Sequence, residues 1–224
     1  KSPISRIRTR QADMRDISAL RAKGYAKGTQ KGFRGNLDLL SRTTDPQTIY
    51  VKSKLDRDDI IDIKDFDVVQ YMYTIDRMNL RNELATALMV GDGRQTGADG
   101  KIDPTKIRPI WTDDDVYTIK TLVTVAQNAT DDAKAKAIIR AAVKSRKDYK
   151  GSGNTVFFTT EDYVTDMLLM EDSTGRIIYD SLDKLATAMR VRKIVTVPVM
   201  EGLHRTVGAA THDLVGIIVD LSDY

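Results

Sequence analysis

Residues 65–94 read DFDVVQYMYTIDRMNLRNELATALMVGDGR, and this stretch decides the fold. Residues 65–90 contain neither glycine nor proline and are rich in good helix formers, which predicts one long helix. At 1.5 Å per residue this helix would be about 39 Å long, which is long for a domain in a chain of 224 residues. Its apolar residues recur at helical spacing. One stripe is formed by Val68, Met72 and Ile75, and after a change in spacing it continues through Leu80, Leu84, Ala87 and Leu88.

The glycines that follow this helix predict where it ends. Gly91 and Gly93 stand where a helix C-terminus favours a residue in the left-handed conformation. The loop GDGRQTGADG, residues 91–100, also invites comparison with phosphate-binding loops. A P-loop needs a glycine five residues before its Gly-Lys pair, but Gln95 stands five residues before Gly100. A helix C-terminus also presents carbonyl oxygens, which repel phosphate.

The sequence does not support a calcium site in this loop or a magnesium site at 112–115. An EF-hand loop counted from Asp92 would place Arg94 and Thr96 at ligand positions that require acidic or amide oxygens. We therefore predict a helix cap followed by a flexible turn. The run TDDD at 112–115 could hold Mg²⁺, but three aspartates beside predicted strands are more typical of a solvated turn.

Patterns for catalysis are also missing from the sequence. His204 and His212 are eight residues apart, whereas a zincin needs two histidines four apart with a glutamate between them. There is no G-x-S-x-G sequence for a serine nucleophile. The lack of cysteine excludes disulfides, thiolate nucleophiles and cysteine zinc sites. We expect no catalytic residue, no cofactor, no metal site and no enzymatic activity.

Composition indicates an ordinary globular protein, since 41% of residues are hydrophobic and 30% are charged. No apolar run approaches the roughly 18 residues that a membrane span requires, so we expect no membrane partner. The chain begins at Lys1 rather than Met and shows no signal-peptide pattern, which leads us to expect a processed product or a fragment.

The charges are unevenly distributed along the chain. Residues 1–36 carry ten Lys and Arg against two Asp, a net charge of +8, whereas residues 56–67 carry a net charge of −4. Such asymmetry fits either nucleic-acid binding or the docking of like units on each other. The basic segment has only Tyr25 and Phe33 for base stacking, which favours a solvated or partner-facing arm.

Outside the long helix, the pattern predicts further elements. Residues 1–47 show little sustained periodicity, and the glycines of 22–35 (AKGYAKGTQKGFRG) predict an extended or loop-like course rather than a helix. Residues 48–55 (TIYVKSKL) are predicted to be a strand of a projecting hairpin that is buried only against a neighbour. Residues 111–203 should form an α/β unit. The predicted strands are 106–111, 155–160, 191–200 and 214–221, and 115–127 has a strand-like but ambiguous pattern. The predicted shorter helices are 130–149, 161–170 and 181–189.

Several stretches resemble tailed-bacteriophage or prophage major capsid proteins of the Hong Kong 97-like fold. The more specific ones are KLDRDDIIDIKDFDVVQYM (54–72) and LRNELATALMVGDGR (80–94). The others are RAKGYAKG (21–28), KIRPIW (106–111), DDDVYTIK (113–120) and VFFTTEDYVTDMLLMEDSTGRIIY (156–179). They follow the order of the family and span most of the chain.

The resemblance implies an α+β fold divided as this family is divided. Residues 1–20 would be the N-terminal arm, 21–64 the extended E-loop, and 65–110 the P-domain with its long spine helix. Residues 111–203 would form the α/β A-domain, and 204–224 would return to a P-domain that is incomplete here.

The resemblance also implies a function. The chain would be a major capsid protein that self-assembles, through hexamers and pentamers, into the icosahedral shell enclosing phage double-stranded DNA. Its other partners would be a scaffolding segment or a maturation protease, with DNA contacted non-specifically if at all. It would be assembled in the bacterial host cytoplasm and reside in the virion capsid. The alternatives are an encapsulin-like compartment shell and, less favoured, a small α/β ligand-binding enzyme.

Overall fold

The computed structural model describes residues 7–12, 21–22, 24, 26–31, 39–44, 47–54, 67–126, 128–149, 151–207 and 210–222. The chain divides into two compact units, Lys1–Val116 and Tyr117–Tyr224. Most of the basic segment 1–36 lies outside the described residues. So does the acidic segment 56–67, apart from Asp67.

The predicted long helix is confirmed as α1, Val68–Met89. It begins where the Asp67 carboxylate accepts a hydrogen bond from the Gln70 N–H at 3.1 Å, which satisfies one of the free N–H groups of a helix start. It ends where Gly91 donates its N–H to the Thr86 carbonyl at 3.0 Å. Gly91 has a φ of +97°, which strongly favours glycine, so the predicted glycine stop is confirmed.

The predicted apolar stripe of α1 is only partly buried. Of the 22 residues of this helix, all of them described, three are buried: Val68, Ala87 and Met89. The middle members of the stripe are half-buried, but Leu84 is exposed. The contact face passes instead through Glu83 and Ala87, which both lie to one side of Leu84 around the helix.

A hairpin near the N-terminus was not expected. Strand β1, Ile7–Ala12, pairs antiparallel with β2, Leu39–Thr44, with Ile7 opposite Thr44. The sequence of 1–47, which shows little sustained periodicity, did not predict these two strands. The two partners are separated by residues 13–38, and local periodicity does not register a pairing over that separation.

Three of the strands predicted around α1 do not form in the described residues. Residues 48–54 are irregular, and residue 55 lies outside the described part of the chain. Residues 106–111 and 115–126 form turns and irregular backbone, and residue 127 is likewise outside the description. The β-branched residues in these segments indicated strands, but no neighbouring strand pairs with them in the described structure.

The second unit, by contrast, largely follows the prediction. The expected helices are α2, Asp131–Ser145; α3, Glu161–Leu168; and α4, Leu182–Met189. The expected strands are β3, Val156–Thr159; β4, Lys193–Thr196; and β7, Gly216–Val219. The predicted strand 191–200 is shorter than expected because Pro198–Met200 forms a 3-10 turn. An unpredicted hairpin joins β5, His204–Val207, to β6, Ala210–Asp213.

The sheet of this unit has the order β4-β3-β7, with β3 parallel to β4 and antiparallel to β7. Strand β7 approaches β3 closely at Gly216, where a Cβ atom would lie 2.8 Å from the Phe158 carbonyl oxygen, so only glycine fits. The core comprises Ala135, Ile138, Ala142, Phe157, Val164, Met167, Met170, Leu185, Ala186, Met189, Val191 and Ile194.

The described elements are mixed helix and sheet, which agrees with the predicted α+β class. The boundary between the two units falls after Val116, while the predicted boundary between the P-domain and the A-domain falls after residue 110. Strand β7, within 204–224, pairs with β3 in the second unit. The assignment of ranges to named capsid domains stays a prediction.

Candidate functional site

The loop that follows α1 is organised around one buried carboxylate, Asp92, whose side chain is 3% exposed. It accepts the Ile102 N–H at 2.7 Å and the Lys101 ammonium at 3.1 Å. Burial by itself would raise the pKa of Asp92, but the hydrogen bonds from Ile102, Lys101 and Arg94 outweigh it and lower the pKa. Asp92 therefore stays ionised and holds the two ends of the loop together.

Arg94 ties the same loop back onto α1. Its guanidinium lies 2.6 Å from the Glu83 carboxylate and 3.4 Å from Asp92. The hydrogen bond and the charge of Glu83 raise the pKa of Arg94. The Lys101 ammonium also donates to the Arg94 carbonyl. We call these four side chains, Glu83, Asp92, Arg94 and Lys101, the helix-end latch.

The last carbonyls of α1 are also occupied. Ile110 donates its N–H to the Leu88 carbonyl at 2.9 Å, and Trp111 donates to the Met89 carbonyl at 3.1 Å. This pairing explains why 106–111 is not a strand, because its backbone bonds to a helix end. The helix cap predicted for 91–100 is confirmed, but the turn is tied to the helix by ion pairs and differs in this from the flexible turn expected.

A cavity of about 240 Å³ lies beside the helix-end latch. Its walls include Val90, Pro104 and Ile107 as well as Asp92, Arg94 and Lys101. The two cations of this cavity face carboxylates at 3.4 Å or less, so their charge is compensated within the protein. The arrangement favours a structural junction over an anion site.

The run at 112–115 contains a buried carboxylate, which differs from the solvated turn expected there. The Asp113 side chain is buried and pairs with Arg42 of β2 at 3.0 Å. This ion pair connects the N-terminal hairpin to the chain that follows the latch. Because its partner lies some seventy residues away in sequence, the run of aspartates alone did not reveal it.

The two histidines lie on one hairpin but on opposite faces. His204 of β5 stands opposite Asp213, and its neighbour Arg205 stands opposite His212 of β6. Successive residues of a strand point to opposite sides, so the two imidazoles do not share a face. The described residues contain no cluster of three or more His, Cys, Asp or Glu side chains that could hold a metal ion.

The segment 47–54 is hydrogen-bonded to its own unit at two points. At one end the Gln47 amide oxygen accepts the Asp103 N–H at 2.9 Å. At the other end the Ser53 hydroxyl donates to the Asp76 carboxylate in the middle of α1. Between these two anchors most side chains are exposed, including Tyr50 and Val51, so the burial of 48–55 against a neighbour stays a prediction.

A stripe of large apolar side chains on α1 remains exposed. Val69, Tyr73 and Leu84 are 66%, 59% and 45% exposed, respectively. At 100° per residue the three lie within about 60° of the helix circumference and span about 22 Å along its axis. We call this stripe the apolar flank of α1. Large apolar side chains exposed along one side of a helix are typical of a contact with another protein.

Among the described residues there is no helix both long and apolar enough to cross a membrane.

Comparisons with known proteins give one distant likeness. No protein-family model matches the chain, and no curated protein matches it. The chain is similar to a solved structure described as the asymmetric unit of the mature capsid of bacteriophage PhiM1, at 16% sequence identity and a TM-score of 0.48. The match covers 100% of this chain and 65% of that longer chain.

Proposed function

We propose that this chain is a major capsid protein of a tailed bacteriophage or prophage, with a Hong Kong 97-like fold. It self-assembles through hexamers and pentamers into an icosahedral shell that encloses double-stranded DNA. The apolar flank of α1 is the observation that carries this proposal. Only three of the 22 residues of α1 are buried, and three large apolar side chains are exposed along one side of it. A neighbouring subunit would cover this side.

The sequence resemblance supports the same function, and one of its more specific stretches covers the end of α1. The stretch 80–94, LRNELATALMVGDGR, contains three of the four residues of the helix-end latch, namely Glu83, Asp92 and Arg94. A shell subunit needs a rigid connection between its long helix and the following chain, because forces between subunits pass through it. The latch supplies that connection with charge pairs to the buried Asp92 carboxylate and a surface pair between Arg94 and Glu83.

The remaining roles follow from the resemblance. In this proposal the P-domain spans 65–110, the A-domain 111–203, and 204–224 returns to the P-domain. The arm 1–20 and the E-loop 21–64 reach neighbouring subunits, and packaged DNA is contacted non-specifically if at all. Assembly takes place in the host cytoplasm, with a scaffolding segment or maturation protease as accessory partners. Many modest contacts acting together stabilise the shell.

Electron microscopy of the expressed protein tests this proposal. We expect closed shells of uniform size, either from the chain alone or with a scaffolding partner co-expressed. Uniformly monomeric particles under both conditions would contradict the capsid function. Shells that enclose protein cargo and no nuclease-protected DNA would point to an encapsulin-like compartment. A large thermal stabilisation by a nucleotide or a divalent ion would favour a ligand-binding enzyme.

A further inference from the structure

A shallow groove of about 410 Å³ runs along one side of α2 in the second unit. Its floor is apolar and is formed by Ile139, Val143, Met170 and Tyr179. Of these, Met170 is buried and the other three are half-buried, so part of the apolar surface faces solvent.

The rim of this groove is strongly basic. Lys136, Arg140 and Lys144 also line it, and their spacing of four residues places them in one row along α2. All three are exposed, and none has a hydrogen-bond or ion-pair partner among the described residues. Lys134 on the same helix differs, because it lies 2.8 Å from Asp131. The groove thus combines an apolar floor with three uncompensated positive charges.

The chain itself contains a segment of matching chemistry. Residues 54–67, KLDRDDIIDIKDFD, alternate between aspartates and large apolar side chains. Its residues 56–67 carry a net charge of −4. The apolar members are Leu55, Ile60, Ile61, Ile63 and Phe66. Such a segment can place apolar side chains on the groove floor while its carboxylates meet the basic rim.

We infer that residues 54–67 of one copy of this chain dock in the α2 groove of a second copy. The inference rests on the proposed function, since it names one of the contacts by which subunits would assemble. Nucleic acid is the less fitting occupant. Its phosphates would neutralise Lys136, Arg140 and Lys144 but would leave the apolar floor exposed to water.

Binding of a synthetic peptide tests the inference directly. The probe is a fluorescently labelled peptide of residues 54–67, and its anisotropy is measured with the full chain at increasing salt. We expect saturable binding that weakens with salt. We expect Arg140→Glu to reduce the affinity about tenfold, because it replaces an attraction with a repulsion beside two remaining cations.

Matched controls separate the groove from general charge effects. Lys193→Glu makes the same charge change at an exposed position of β4 and should leave the affinity unchanged. A scrambled peptide of the same composition should bind at least several-fold more weakly. Equal affinities for Arg140→Glu and Lys193→Glu would overturn the inference. So would binding of single-stranded DNA that is lost in Arg140→Glu while peptide binding persists.

A charge exchange within the full chain tests whether the contact joins two copies. Arg140→Asp and Asp59→Arg should each weaken self-association in sedimentation experiments, and the double variant should restore it. Self-association that is unchanged in both single variants would refute docking between copies. Shells without peptide binding would refute the docking and leave the capsid function standing. Peptide binding without any shells would refute the capsid function alone.

Discussion

Asp92 carries more interactions than any other side chain of the loop after α1. Its oxygens accept the Ile102 N–H, the Lys101 ammonium, the Arg94 N–H and the Arg94 guanidinium. A single carboxylate can therefore fix the path by which the chain leaves the helix. The reason is physical, since a buried carboxylate is stable only when several donors surround it.

Replacing Asp92 by Asn should weaken the first unit. The amide keeps the size of the side chain but removes the charge that pairs with Lys101 and Arg94, so we expect a loss of about 1–3 kcal/mol in unfolding free energy. Urea unfolding at pH 7 measures this loss. Asp99→Asn in the same loop is the control, because Asp99 is exposed, and it should change the unfolding free energy little. Equal losses for the two variants would contradict the latch.

The same carboxylate gives the stability of the chain a pH dependence. The pKa of Asp92 is lower in the folded protein than the model-peptide value of 3.8. Its contribution is therefore fully present above that value and is lost as the pH falls through the lower, folded pKa. Unfolding curves recorded from pH 6 downwards should show a loss below about pH 4 that is smaller in Asp92→Asn.

Gly91 is the second residue on which the helix end depends. Its φ of +97° is a conformation that other residues adopt only with strain, so Gly91→Ala should cost about 1–2 kcal/mol. Gly24→Ala is the matched control, because Gly24 has no positive φ and a Cβ there would meet no atom within 4 Å. Thermal unfolding of the two variants gives the comparison, and equal melting temperatures would argue against a glycine requirement at position 91.

At the scale of the element, α1 has a C-terminal end that is held by the helix-end latch and an apolar flank that is exposed. Its caps and helix-end latch stabilise it locally, whereas the apolar flank contributes little to the isolated chain. A helix needs a packed face to be stable, and α1 has three buried residues to supply it. The apolar flank therefore points to stabilisation by neighbouring subunits.

The double variant Val69→Ser, Leu84→Ser tests the apolar flank. Both side chains are exposed, so the unfolding free energy of the unassembled chain should change by no more than about 1 kcal/mol. Assembly into shells, followed by light scattering and electron microscopy, should be strongly reduced. Asn82→Ser, exposed on the opposite side of α1, should assemble normally. Normal assembly of the double variant would exclude the apolar flank as a subunit contact.

At the scale of the whole molecule, assembly and folding stability should be linked. Contacts that form only between folded subunits stabilise the folded state by mass action. We expect the apparent melting temperature of assembled shells to exceed that of unassembled chains at the same total concentration. Differential scanning calorimetry on separated fractions measures the difference. Identical melting temperatures would show that the subunit contacts add no stability.

The second unit illustrates how much of the fold local sequence can specify. Thr130 accepts the Ala133 N–H at the start of α2, and the helix then runs to Ser145 much as its pattern predicted. The strand at 155–160 and the helices at 161–170 and 181–189 were also recovered within a few residues. These elements are recognisable because caps, periodicity and turn residues all act over a few neighbouring positions.

The surfaces proposed to join subunits could be predicted only in part from the sequence. The sequence indicated the acidic segment 56–67, but Lys136, Arg140 and Lys144 become one basic rim only when α2 lies beside Met170 and Tyr179. Leu84 belongs to the predicted apolar stripe, yet it is exposed in the structure. Exposure depends on which face a distant segment covers, and periodicity alone does not contain that information.

The sequence by itself determined the long helix, its glycine stop and most elements of the second unit, because these depend on interactions between near neighbours in the chain. Only the tertiary structure decided the pairing of β1 with β2, the irregular course of 106–111 and the ion pair between Arg42 and Asp113. Each of these joins groups far apart in sequence. Their partners are selected by the folded geometry, because a hydrogen bond or an ion pair forms wherever donor and acceptor meet.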